Sequence, residues 1–330
     1  MRHSFHPTPI MTADNPISQS ATPHQFSLRP PVQDDAGEIV AMTRAYQTSI
    51  GDTPDMSVEE LRRDWIGVNL EEDALLAVMP DGEIVGYADI FNRQFVQVNV
   101  YAMTLPGPQQ VQVFARLVGW GEGWVAAHKP ADPALAPTEI HYFLRDVDSA
   151  SIRALKAAGY GYVRTYYVMA AELNAPPPQP IWPEALLVRA YRPGVDDDAI
   201  FLGSEEPFQD MWNRPPSTKE GWLEPTQAED FDPSLWFLPF DQRSGEVAGN
   251  CRCSILDGSG HVDTLGVRRP WRRQGLGMAL LLHAFGEFWR RGIRTVRLSV
   301  DAESPTGAPR LYERAGFRVE KQFVRYMKRV

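Results

Sequence analysis

The residues best placed to do chemistry lie between Leu265 and Leu280. There an apparent strand runs through Gly-Val-Arg-Arg-Pro-Trp-Arg-Arg-Gln-Gly-Leu-Gly directly into a helical stretch. Backbone N–H groups at a helix start have no intrahelical acceptor, and the helix dipole adds partial positive charge, so this turn reads as a phosphate site. Gly275 and Gly277 are expected to remove the Cβ atoms that would hold a pyrophosphate off the backbone. Arg268, Arg269, Arg272 and Arg273 are expected to add side-chain charge. The plain alternative is a basic helix start whose glycines only make a tight turn. The loop lacks the Lys-Ser/Thr of a P-loop and the third glycine of the dinucleotide fingerprint, so nucleotide hydrolysis and hydride transfer lose support.

The elements that must position this turn follow from periodicity. His261–Val267 alternates and reads as a strand; Leu280, Leu281, Ala284, Phe285, Phe288 and Trp289 form a helical stripe ended by Gly292. Thr295–Asp301 reads as the next strand, with Val296, Leu298 and Val300 on one face. A short helix through Leu311 and Tyr312 ends at Gly316, and two strands, near Phe317–Glu320 and Phe323–Lys328, are expected to close the domain. Upstream, Leu186–Arg189 starts a strand, Asp196–Gly203 a helix, and Leu235–Phe240 with Glu246–Ile255 a hairpin. The sum is a mixed α/β architecture, an α+β mixed sheet with helices packed on it.

This pattern occurs twice. Asp34-Asp35-Ala36 matches Asp197-Asp198-Ala199, and Gly82-Glu83-Ile84-Val85-Gly86 matches Gly245-Glu246-Val247-Ala248-Gly249, both at an offset of 163. Later, Arg153 to Tyr160 matches Arg310 to Phe317 at an offset of 157, a shortening attributed to an extra Pro-rich loop around Pro130–Pro137 in the first half. The expected organisation is a disordered leader over 1–24, a first domain over 25–173, a Pro-rich linker over 174–183 and a second domain over 184–330.

With 33 Lys and Arg against 42 Asp and Glu, the net charge of −9 argues against a general nucleic-acid binder. Cys251 and Cys253, alternating along an expected strand, are read as pointing to opposite faces and supply no disulfide framework. The setting expected is therefore reducing and cytoplasmic. No HExxH or paired Cys/His spacing proposes a metal, and no apolar run is long enough to span a membrane or form a signal peptide.

Arg272-Arg-Gln-Gly275-Leu-Gly277 resembles the acyl-CoA loop of the GNAT acetyltransferase superfamily, and Leu311-Tyr-Glu-Arg-Ala-Gly-Phe317 resembles its downstream motif. The duplication is similar to that of tandem GNAT proteins such as mycothiol synthase. The resemblance implies two tandem acetyltransferase folds and acetyl-CoA as cosubstrate. Backbone amides from Arg273 through Gln274, Gly275, Leu276 and Gly277 to Met278, with Arg272 beside them, would hold the CoA pyrophosphate. Leu265 and Val267 would pair with pantetheine, and an amide near Leu265 would serve as oxyanion donor. Tyr312 takes the position that protonates the departing thiolate. His261 stands where many relatives have Glu and is one candidate base for the acceptor amine; Asp263 on the same face is the other, as base or amine anchor. Ser304 stands where relatives commonly have a cofactor-contacting Asn.

In the first half, Val111 and Val113 fall opposite Gly275 and Gly277, Leu155 opposite Tyr312 and Gln97 opposite His261, so that half is expected to be noncatalytic. The acids and aromatics between Glu205 and Pro216 would suit a cationic, partly apolar amine, or equally an acidic surface loop with two anchoring aromatics. The expected activity is N-acetylation of a small-molecule amine in a ternary complex, by a monomer or weak dimer. The alternatives are a mycothiol-synthase-like cysteinyl-amine acetyltransferase and a noncatalytic acyl-CoA sensor.

Overall fold

The computed structural model describes residues 26–54, 56–93, 97–128, 138–212, 217–228 and 231–330. The leader, the Pro130–Pro137 loop and part of the segment ending at Pro216 lie outside them. The first half runs β1 (Ser27–Arg29), α1 (Ala36–Ser49), α2 (Val58–Asp64), α3 (Leu70–Asp73), β2 (Ala74–Val78), β3 (Ile84–Arg93), β4 (Gln97–Thr104), α4 (Gln110–His128), β5 (Glu139–Arg145), α5 (Ser149–Ala157) and β6 (Gly161–Glu172). The second runs β7 (Leu186–Ala190), α6 (Asp197–Phe208), α7 (Lys219–Leu223), β8 (Trp236–Asp241), β9 (Gly249–Leu256), β10 (Ser259–Val267), α8 (Leu276–Arg290), β11 (Thr295–Asp301), α9 (Ala308–Arg314) and β12 (Arg318–Arg329).

Both halves share one 12-stranded sheet of the described residues, in the order β1-β2-β3-β4-β5-β12-β6-β11-β10-β9-β8-β7. The last strand of each half is exchanged: β12 pairs with β5 of the first half, and β6 pairs with β11 of the second. The two exchanged strands also pair with each other, antiparallel, at the centre. The expectation of two short strands at the C-terminus is corrected here. Arg318–Arg329 carries no proline, glycine or asparagine to turn it, so it stays one extended strand of 12 residues, with register shifts absorbing the irregularity.

The exchange reaches into the cores. Val324 and Tyr326 of β12 pack with Phe114 and Leu117 of α4, whereas Met169 and Ala171 of β6 pack under Leu280 and Phe288 of α8. Each core therefore draws on strands from both sides of the Pro-rich 174–183 segment. Helices α4, α5, α8 and α9 contribute to these two cores; α1, α2 and α6 cover the other sheet face through Ile39, Leu61 and Ile200. No helix of the described residues is long and apolar enough to cross a membrane.

Cys251 and Cys253 provide a second correction. Side chains two residues apart on a strand point to the same face. Both thiols are buried in the α8 core with their sulfur atoms 3.6 Å apart.

Candidate active site

The turn before α8 is built by backbone conformation more than by charge. Gly275 caps the helix at φ 87°, and Arg273 is held at φ 62°, so the chain doubles back before Leu276 enters the helix. Left-handed φ favours glycine at 275, where a Cβ would meet nothing within 4 Å and would stand in open space. Ala279 N–H closes on the Gly275 carbonyl at 3.0 Å, leaving the amides of the preceding turn directed at the space in front of the helix. At Gly277 a Cβ would lie 3.1 Å from Leu311 Cδ2, so its absence lets α9 approach α8.

Three of the four arginines expected to add charge at this turn are paired with carboxylates. Arg268 Nε donates to Glu206 at 2.6 Å, and Arg269 Nη2 donates to Asp210 at 2.8 Å. Arg272 reaches the Val267 carbonyl at 3.0 Å and Asp210 at 3.1 Å. These arginines clamp the loop after α6 onto the turn, and hydrogen bonds from Arg269 and Arg272 hold the Asp210 carboxyl below its ordinary pKa. Gln274 Nε2 donates to the Pro270 carbonyl at 2.9 Å. Arg273 is exposed and, among the described residues, makes no ion pair.

Beside the turn the sheet opens. Parallel β10 and β11 are in register only at Gly260↔Val296 and His261↔Arg297. Beyond a bulge between Val262 and Thr264, β10 stays with β9 as far as Val267↔Gly249, while β11 stays with β6 as far as Asp301↔Tyr166. The β11-facing edge of Leu265 and Val267 is thereby left without a strand partner. In the first half the equivalent pairing continues through Gln97↔Glu139, Val98↔Ile140, Asn99↔His141 and Val100↔Tyr142, so its wedge starts later.

The titratable candidates lie on the two faces of the sheet at β10. Tyr312 lies with Cys251 in the α8 core and is 7% exposed. Burial, assisted by Cys251, raises its phenol well above the ordinary value, so it keeps its proton at neutral pH. His261 registers with Ser254 on the opposite face, and Ser254 Oγ donates to Asp263 at 3.1 Å. Burial lowers the His261 pKa, with Asp263 opposing the shift and Arg297 reinforcing it. Burial raises that of Asp263, against Ser254, His261 and Arg252. The two groups are thus brought together, with their pKa values moved towards one another.

Solved structures are similar over almost the whole chain. The GCN5-related N-acetyltransferase from Sphaerobacter thermophilus is 43% identical, with a TM-score of 0.84 over 92% of this chain and 95% of that one. The chain belongs to the GCN5-related N-acetyltransferases. Residues 199–317 match the acetyltransferase (GNAT) family model. A tandem GNAT protein from the clavulanic acid biosynthesis pathway has the same fold at 12% identity, with a TM-score of 0.68 over 92% of this chain and 98% of that one. The mycothiol acetyltransferase of Thermobispora bispora is 34% identical over 49% of this chain, and the alignment spans 57% of that relative.

For this GNAT chain, two parts of the site escape sequence reasoning. Arg252, on β9, sits between the rings of Trp222 and Trp236 at 4.3 and 4.9 Å and donates to Thr264 Oγ1 at 2.9 Å. Burial pushes its pKa down to about 10, and Asp263 opposes the shift. An arginine between two buried cysteines is a signal that could have been noticed. The second part comes from the other half. Arg164 Nη1 on β6 donates to Glu303 at 2.7 Å, Tyr162 Oη donates to Glu303 at 3.1 Å, and Ala302 N–H donates to the Thr165 carbonyl at 3.0 Å. These bonds pin the loop that carries Ser304, whose hydroxyl pairs locally with Thr306 at 2.9 Å. Trp212 stacks over both Arg164 and Arg325, so the loop after α6 also rests on exchanged strands.

Proposed function

We propose that the protein transfers an acetyl group from acetyl-CoA to the amine of a small molecule, by direct attack in a ternary complex formed in the second half. The observation that carries this reading is the early parting of β10 and β11 beside a helix start opened by Gly275. The residues fit the cosubstrate: the Gly275 position is unobstructed, the first-turn amides face it, and the edge of Leu265 and Val267 is unpaired. Acetyl-CoA supplies an activated thioester.

The amides from Arg273 to Met278 would bind its pyrophosphate, with the Arg273 side chain adding charge and the side chains of Arg272 and Gln274 holding the turn. His261 or Asp263 takes the proton of the acceptor amine, whose nitrogen forms the new bond to the acyl carbon. An amide near Leu265 would steady the developing oxyanion. As the carbon–sulfur bond breaks, the Tyr312 hydroxyl gives its proton to sulfur. Base and acid on opposite faces of the opening suit an acceptor arriving from the α6 side and a thiol held on the α8 side.

The first half we read as a noncatalytic partner: Val113 and Leu155 are fully buried core residues where the second half has Gly277 and Tyr312. Glu206 and Asp210 are committed to arginines, which withdraws two of the acids that favoured a cationic acceptor. A cysteinyl amine is the more specific acceptor we favour, on the strength of relatives named mycothiol acetyltransferase. A reducing, cytoplasmic setting fits the free thiols of Cys251 and Cys253. Release of free CoA thiol, measured over a panel of cysteinyl amines, amino acids, polyamines and aminoglycosides, tests the reading. Acceptor-dependent release supports it, and binding without release for any acceptor favours the acyl-CoA sensor.

A further inference from the structure

Arg145, Arg189, Arg268 and Arg291 are partly buried, and each is held by a carboxylate within 2.7 Å. Arg252 is largely buried, and among the described residues no carboxylate pairs with it. Its Nη1 donates to the Trp222 carbonyl at 3.3 Å and its Nη2 to Thr264 Oγ1 at 2.9 Å, while its Nε is buried without a partner. A neutral carbonyl and a hydroxyl do not offset a charge taken out of water, so this guanidinium is left short of a counter-ion.

Its place in the sheet is beside the proposed chemistry. Asn250, Arg252 and Ser254 share the β9 face that looks to α6, where Asn250 Nδ2 donates to the Gly203 carbonyl at 2.7 Å. Ser254 registers with His261 and donates to Asp263, so Arg252 stands next to both candidate bases, and its charge and that of Asp263 reach one another. At the same offset of 163, Asp89 of the first half takes this position, in register with Tyr101 as Arg252 is with Thr264. Tyr87 Oη donates to Asp89 at 2.6 Å, Trp65 Nε1 donates to Tyr87 at 2.8 Å, and burial pushes the Asp89 pKa up to about 6. That carboxyl is satisfied within its own half. Arg252, whose pKa burial lowers only to about 10, keeps its charge at neutral pH.

We propose that Arg252 binds a carboxylate carried by the acceptor, close to the amine that faces His261 and Asp263, so that the acceptor is an amino acid or a peptide-like amine with a free carboxylate. The rings of Trp222 and Trp236, at 4.3 and 4.9 Å, hold the guanidinium in place, and its fork can meet a carboxylate through two parallel hydrogen bonds. Resting on the acetyl-transfer reading, this narrows the acceptor class. Free cysteine fits the pair of Arg252 and Asp263, whereas a cysteinyl amide lacks the anion. Polyamines and aminoglycosides bring further positive charge towards a guanidinium that has no acid of its own.

The test compares cysteine with cysteinamide, and alanine with alaninamide, as acceptors for the full chain, by chromatography of the acetylated products. The carboxylate-to-amide ratio of kcat/KM should be at least about tenfold higher in the wild type than in Arg252→Met, the scale of one charge-assisted hydrogen bond. Comparing the ratio between proteins cancels the difference in basicity of the two amines. Arg252→Met keeps the volume and removes an uncompensated charge, so it should melt close to the wild type and keep its acetyl-CoA Kd. Arg252→Lys, charged but without the fork, should retain part of the preference. In the wild type, N-acetylcysteine should inhibit at least about tenfold better than N-acetylcysteinamide. Equal ratios in the wild type and Arg252→Met, equal inhibition by the two products, or turnover of polyamines alone would overturn the assignment and leave acetyl transfer standing. An Arg252→Met variant that no longer folds marks the guanidinium as structural and overturns it too. Acetyl-CoA binding with no acetylation of any acceptor overturns both.

Discussion

Replacing Gly275 by alanine separates the backbone requirement at this position from its proposed role against a ligand. At φ 87° an alanine occupies left-handed backbone at a cost of about 1–2 kcal/mol, while its methyl group meets no protein atom within 4 Å. The stability loss should therefore be confined to that strain, a fall of a few degrees in Tm for a chain of this size. In the proposed cradle the added methyl would crowd the pyrophosphate bound by the first-turn amides. Disturbing one or two charge-assisted hydrogen bonds there costs about 1.5–3 kcal/mol each, so acetyl-CoA affinity should fall at least about tenfold. Gly292 is the control, because it has φ 82° at the far end of α8 with equally open space around it. Gly292→Ala should lose similar stability and keep its acetyl-CoA Kd. Calorimetric titration and thermal melts of both variants decide the matter. Equal Kd values for Gly275→Ala and the wild type would refute the cradle.

Tyr312→Phe should lower kcat about a hundredfold or more with little change in the KM for acetyl-CoA, and unchanged turnover in single-turnover assays would remove it as the acid. The pH profile follows from the shift directions. His261 is lowered from 6.5 and Asp263 raised from 3.8, so activity should be present above this interval and be lost as pH falls through it. An acid limb of kcat/KM above pH 7 would contradict either base, and because the Tyr312 pKa is raised, no basic limb from it should appear below about pH 10. Arg164→Ala, far away in sequence, should raise the KM for acetyl-CoA up to about fivefold by loosening the Ser304 loop, the scale of a part-exposed ion pair. A fragment beginning at residue 174 lacks β6, leaving β11 without its antiparallel neighbour, and should not fold alone. Coexpression with residues 1–173 should restore a soluble complex, and a well-folded isolated fragment by circular dichroism would contradict the exchange.

What could be read from the sequence was local. The Thr295–Asp301 strand, the buried face of Val296, Leu298 and Val300, and the helix ended by Gly292 all follow from short-range periodicity and a positive-φ stop. The turn at Gly275 was legible because glycine spacing before a helix has few other uses. Strand partners were not legible: nothing in Arg318–Arg329 distinguishes β5 of the other half from a neighbour in its own, since both offer an unpaired edge and an apolar face. The fate of Arg268 and Arg272 depended on acids about 60 positions away, and that of Arg164 on the exchange itself. The cysteine geometry was available in the sequence, because a strand repeats its facing every two residues.

The most direct measurement is the stoichiometry of acetyl-CoA binding to the full chain by calorimetry. One site per chain, abolished by Gly275→Val and untouched by substitutions at Val111 in the first half, is the predicted result. No binding, or two equivalent sites per chain, would contradict a single acyl-CoA site in the second half.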